Sequence, residues 1–190
     1  MIQVRLQVSI KIMKNAMNKK VVYISLFLWF FTSCSAQEMK VFESESYQTS
    51  YPINWTKQQK QSAVFFLSPK ENEKDLFQEN VNVIIQDLSS QPMTLEDYTN
   101  LTKNQITQAL GSSAIESVKD INFAGQQAKE MVYTMPKNPI QGRNQNLKLR
   151  QIWFIKGNNA YLLTYTAQSS EYDKFLETAK AIFDSFKLKE

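Results

Sequence analysis

Three rhythms of apolar and polar residues succeed one another along the chain, and each predicts a different kind of element. The first is a dense apolar run, Val21 to Phe31, preceded by Met17-Asn18-Lys19-Lys20. It falls short of the roughly 20 apolar residues that a bilayer-spanning helix needs. A cationic flank before a short apolar stretch is the pattern of a signal peptide, predicted over 17–33. The second rhythm is alternation. Val81, Val83 and Ile85 alternate with Asn82, Ile84 and Gln86, which predicts a strand with one well-buried face. Lys40 to Ser44 and Tyr47 to Trp55 predict the first strands, Tyr51-Pro52-Ile53-Asn54-Trp55 turning the chain and Pro52 placing that turn at an edge. Ser62 to Leu67 adds a compact apolar run that stops at Ser68-Pro69.

The third rhythm steps by three and four. Leu95, Tyr98, Leu101, Ile106 and Leu110 predict a helix over 94–110, with Thr94 and Asp97 approximating a capping box and Gly111 at its stop. Tyr172, Phe175, Leu176, Ala179, Ile182, Phe183 and Phe186 trace a wide apolar stripe on a C-terminal helix, with Ser169 or Ser170 as its cap. Between the helices, Ile115 to Phe123 and Gln126 to Met135 flank Ala124-Gly125 as a hairpin. Leu147 to Lys156 and Ala160 to Ala167 form another around Gly157-Asn158-Asn159. Pro136 to Asn146 is the longest polar loop. The order predicts an α+β fold, an antiparallel sheet flanked by helices, in a single domain over 40–190.

The residues directly behind the leader bear on where the protein ends up. Phe31-Thr32-Ser33-Cys34 resembles a lipobox, with Phe31 where leucine is usual and Cys34 as the residue to be lipidated. A second cut also fits: Cys34 and Ala36 occupy the small-x-small positions, and the mature chain then begins at Gln37, as in an ordinary secreted protein. Under the first reading residues 34–39 form a tether. Residues 1–16 have no place in a normal leader; Met13 and Met17 are both plausible starts, and an over-extended N-terminus is expected.

Charge excludes one class of partner. Five of the 22 basic residues precede the apolar run, which leaves 17 basic against 18 acidic residues beyond it. That balance, with no run of Lys and Arg, argues against nucleic acid, whose binding needs a concentrated cationic face. The chain contains no histidine and a single cysteine. A Ser-His-Asp or Cys-His mechanism is therefore impossible within it, and so are an intrachain disulfide and a multi-cysteine metal site.

Candidate sites each have a plainer reading beside them. Glu71-Asn72-Glu73-Lys74-Asp75 places oxygens at alternate positions, as calcium loops do, yet lacks the glycine of the sharp turn and the distal bidentate glutamate, so a solvated loop is expected. Glu96 and Asp97 lie in the first helical turn, where opposing the macrodipole is the simpler role. Trp55 and Trp153, with Tyr161 and Tyr165, are candidates for a ligand groove, against core packing. Arg143 is the best-placed exposed cation for an anionic partner. No catalytic residue, metal site or cofactor is predicted.

The chain resembles the PsbP/DcrB-like family. The resemblance rests on Tyr51-Pro52-x-x-Trp55, the polar helix after a strand and turn, and Gly125 with Ala128 and Tyr133. It rests above all on Ala160 to Ala167, followed by Tyr172, Phe175, Ile182 and Ser185-Phe186. The resemblance implies an α/β/α sandwich and non-enzymatic roles: bacterial members are often envelope lipoproteins, photosynthetic ones assist an oxygen-evolving complex, and some cytosolic ones chaperone secreted effectors. It transfers no ligand residue to this chain. The expectation is a binding or assembly module, lipid-anchored in the bacterial envelope and facing the periplasm, with a protein partner there. The alternatives are an effector-type chaperone that grips apolar helices and a hydrolase that works with carboxylates alone.

Overall fold

The computed structural model of the protein describes residues 37–138, 142 and 144–189. The leader, Cys34 and Arg143 lie outside the described residues. Nearly all of those described belong to the second of two units, Met1–Gln37 and Glu38–Glu190.

Strands β1 (Met39–Glu43) and β2 (Tyr47–Pro52) form a hairpin. The Ser44 hydroxyl closes it, donating to the Tyr47 carbonyl and accepting from the Tyr47 N–H, each at 3.1 Å. Next come β3 (Thr56–Lys60), β4 (Ala63–Leu67) and β5 (Asn80–Asp87), and then helix α1 (Leu95–Leu110). The two predicted hairpins are β6 (Ile115–Phe123) with β7 (Gln126–Met135), and β8 (Leu147–Lys156) with β9 (Asn159–Gln168). Helix α2 (Tyr172–Asp184) and β10 (Lys187–Leu188) end the chain. All pairings are antiparallel, in a seven-stranded sheet ordered β3-β4-β5-β9-β8-β7-β6 and a three-stranded sheet ordered β1-β2-β10.

Period-two alternation gives the large sheet two apolar faces. On the first face, Phe66, Val81, Leu163, Tyr165 and Phe154 pack against Ala179, Ile182 and Phe183 of α2 and against Phe42 and Tyr47 of the small sheet. Thr49 of β2 donates to the Ile182 carbonyl at 3.0 Å, and the Ser50 N–H donates to the Ser185 hydroxyl at 2.7 Å, so the end of α2 is fastened to the small sheet. On the second face, Leu149, Trp153, Met131 and Ala160 meet Leu95, Tyr98, Ile106 and Leu110 of α1. A sheet between helical layers is the predicted α+β class.

The predicted caps of α1 are present. Thr94 and Asp97 form a reciprocal capping box, and Gly111, at φ 88°, sends its N–H to the Thr107 carbonyl. At α2 the prediction fails: the N-cap is Glu171 and no side chain caps it. The tight turn from Gln168 to Glu171, closed by the Glu171 N–H on the Gln168 carbonyl, uses Ser169 and Ser170 before the helix begins. Phe186 lies beyond the end of α2, yet it is buried and stacks on Tyr47 with centroids 5.0 Å apart.

Pro52 is not on an edge strand. It is the last residue of β2, the middle strand of the small sheet, and β10 reaches only Tyr47 and Gln48. The Ile53 N–H bonds the Glu38 carbonyl, so Met39 and Pro52 form a non-hydrogen-bonded pair and the ladder needs no donor from the proline. β3 and β10 were not predicted. β3 reads Thr-Lys-Gln-Gln-Lys with every residue exposed, and it exists by pairing with β4 rather than by any apolar signal of its own.

Candidate functional site

The structure separates the aromatic residues that the sequence nominates together. Trp55 is buried on the first face, edge-on to Phe175 of α2 with centroids 6.2 Å apart. Trp153, with no exposed surface, lies on the second face, where its Nε1–H donates to the Thr99 hydroxyl of α1 at 3.1 Å. Tyr161 stacks on Phe154 at 4.9 Å, and the Tyr165 hydroxyl donates to the Tyr172 carbonyl at 2.7 Å. These rings sit in two cores on opposite sides of the sheet and share no groove.

The acidic candidates are held by local partners. In the 71–75 loop, Asp75 accepts from the N–H groups of Glu71 and Phe77, both at 3.1 Å, and Asn72 accepts from the Lys74 N–H. Among the described residues no group of three or more His, Cys, Asp or Glu could hold a metal ion. Asp97 turns back on Thr94, whose hydroxyl and N–H hold its carboxyl below the usual aspartate value. Glu96 points the other way, to Lys129 Nζ at 2.9 Å. The two are therefore not a facing acid/base pair.

Two clefts bring together residues that no local pattern joins. The larger, about 730 Å³, opens between the start of α1 and the β6–β7 edge, and Thr94, Glu96, Asp120, Gln127 and Lys129 line it. Lys129 is the pivot, bridging Glu96 and Asp120 at 2.9 and 2.8 Å, and both carboxylates raise its pKa. The smaller cleft, about 340 Å³, is lined by Glu71, Asp75, Glu79, Gln168 and Glu171. Glu79 is only 2% exposed. It accepts from the Gln168 N–H at 3.4 Å and, at 3.5 Å, from the Ser68 hydroxyl. Lys174 of α2 pairs with Glu71 and Glu171 at the rim.

Burial raises the Glu79 pKa above the ordinary carboxylate value, and the nearby Asp75 and Glu171 charges add to the effect. A carboxyl whose folded-state pKa is raised favours the fold while protonated. Its contribution declines as pH climbs from the unfolded value, 4.5, through the raised one. Glu79→Gln, which removes the charge, is therefore expected to gain stability relative to wild type as pH rises through that window. Urea unfolding of both proteins from about pH 5 to about pH 8 checks it; a difference that does not change with pH contradicts the assignment.

These features define a class: a helix–sheet–helix α+β domain of core and turn positions, with its described ring and acid candidates tied into packing, caps and ion pairs. Residues 31–188 match the family model described as PsbP-like protein, and the chain belongs to that family. No curated protein matches it. Solved structures share the fold. Cyanobacterial PsbP from Synechocystis sp. PCC 6803 has a TM-score of 0.54 at 14% identity, covering 83% of this chain and 96% of its own. PA94 from Pseudomonas aeruginosa, a protein of unknown function, has 0.54 at 17%, covering 78% and 95%. LpqN of Mycobacterium tuberculosis, involved in cell envelope biogenesis, has 0.51 at 9%, covering 83% and 88%. At such identities the likeness is one of fold.

Proposed function

We propose that this chain is exported, lipid-anchored through Cys34 to the bacterial envelope, and there acts as a non-catalytic module that binds a protein partner. The observation that carries the reading is the leader: a cationic flank, a short apolar run and a lone cysteine directly behind it. Membership of the PsbP-like family supports the binding role, and the shared fold of LpqN, a protein involved in cell envelope biogenesis, supports the address. The absence of histidine from the whole chain removes the commonest general base near neutral pH. Among the described residues no helix is long and apolar enough to cross a membrane.

The test is crosslinking in intact producing cells, followed by purification of the full chain from the envelope fraction. The expected result is a discrete protein adduct recovered with the membrane-bound protein. Recovery from the soluble cytoplasm, bound to apolar helical segments of secreted proteins, would overturn it in favour of a chaperone.

A further inference from the structure

Hydrogen-bond parity along the β1–β2 hairpin leaves one row of backbone groups facing outward. The Ile53 N–H bonds the Glu38 carbonyl and the Ser44 N–H bonds the Tyr47 carbonyl, both at 2.9 Å. With the register between them, Lys40 and Phe42 are the residues that bond β2, while Met39, Val41 and Glu43 turn their N–H and C=O groups to the free edge. Among the described residues no strand receives those groups. The other side of the small sheet is closed: β10 pairs with Tyr47 and Gln48, and the Ser185 hydroxyl bonds both the N–H and the carbonyl of Ser50. Side chains divide the edge by parity. Val41, 63% exposed, is on the outer face of the small sheet. Lys40 shares the inner face with Phe42, whose ring meets Phe66 of the large sheet with centroids 5.9 Å apart. Lys57 of β3 holds its Nζ 4.9 Å from the centre of the Phe42 ring. Both lysines are exposed, and among the described residues neither is in an ion pair. Glu43, on the outer face, is paired with Lys189 at 3.0 Å.

We infer that β1 receives an extended acidic segment of a protein partner as a fourth strand of the small sheet. This rests on the proposed binding role and gives the partner its chemistry. A chain laid along the edge bonds Met39, Val41 and Glu43 through its backbone, the mode by which peptides extend sheets. Directly opposed residues point to the same face. The partner residues opposite Lys40 and Phe42 therefore face the two lysines, and the residue between them lies beside Val41. The complementary pattern is acid, apolar, acid: one carboxylate meets Lys40, and the other, opposite Phe42, meets Lys57. A basic segment sets like charges there, which is unfavourable. So does a second copy of β1, since antiparallel pairing about Val41 brings its Lys40 opposite Phe42 and toward Lys57. The other free edges lack this combination. β3 is exposed at every position and has no apolar side chain, and β6 is interrupted by a register shift between Ile115 and Ser117.

The test titrates the full chain, held in a nonionic detergent, with a blocked heptapeptide that carries glutamate, valine and glutamate at its centre, and with the same peptide carrying lysine, valine and lysine, following backbone amide NMR signals. Saturable shifts at Met39, Val41, Glu43 and Lys57 are expected with the acidic peptide alone, and they weaken as salt rises. Val41→Pro removes the central N–H at an edge position that accommodates proline, and it should abolish saturation, whereas Val41→Thr keeps the N–H and should bind. Lys40→Gln combined with Lys57→Gln should weaken the apparent Kd about fivefold or more. Unchanged α2 signals show that each variant is folded. No shift up to about 10 mM, equal binding of the two peptides, shifts confined to other surfaces, or binding retained by Val41→Pro would each overturn the inference. So would self-association of the free chain that Val41→Pro abolishes, which gives the edge to a second copy. The crosslinking result is separate: a protein adduct in cells with no peptide binding here overturns this edge and leaves the binding role standing.

Discussion

Replacing Trp153 with alanine will lower the unfolding free energy of the domain by about 3–5 kcal/mol, the range found for removing a large buried aromatic side chain. Trp153 is fully enclosed beneath α1, and α1 is a helix with few other anchors. Only Tyr98 and Thr99 of its sixteen residues are buried. The indole N–H donates to Thr99, whose hydroxyl also donates to the Leu95 carbonyl at 2.6 Å, so the ring fixes the first turn of the helix as well as filling the core. Against a typical domain stability of about 5–15 kcal/mol the loss is large. Trp153→Phe keeps most of the apolar volume and gives up the hydrogen bond, so its cost should be distinctly smaller. Urea unfolding of the three proteins measures the order. A loss below about 1 kcal/mol for the alanine variant would mean that α1 is not held as described.

The second large effect concerns the anchor. With Cys34 replaced by alanine, the protein should disappear from washed membranes and appear in the soluble envelope fraction, while the wild type stays bound. Each buried methylene of an acyl chain adds about 0.8 kcal/mol to membrane affinity, and two chains suffice for stable retention where one does not. A diacylated cysteine therefore makes the difference nearly all-or-none. The competing secretory cut after Ala36 predicts equal fractionation of the two proteins, and that outcome would remove the anchor.

How much was legible in the sequence depends on how far each signal reaches. The limits of α1 were readable because its stops are local chemistry, Thr94 with Asp97 at one end and Gly111 at the other. The hairpin at Ala124-Gly125 was readable from its flanking strand patterns and from Gly125, which takes the φ of 74° its turn needs, whereas Ala124 beside it is held at 50°, a value its side chain disfavours. β3 was invisible because five polar exposed residues carry no periodicity, and only the edge of β4 makes them a strand. Tyr161 and Trp153 look alike as aromatic residues on strands, but strand parity sends them to opposite faces, and no groove contains both. The enclosed Glu79 had no signal at all, since its partners Ser68 and Gln168 lie 11 and 89 residues away. The Lys129 bridge likewise joins α1, β6 and β7. Functional geometry here is long-range, whereas the sequence speaks mainly over three or four residues.

The most direct test of the lipid anchor is the intact mass of the protein purified from the membranes of producing cells. The predicted species begins at Cys34 and carries the added mass of its acyl groups. A chain that begins at Gln37 with no lipid, or one that retains the residues from Met17 onward, would contradict it.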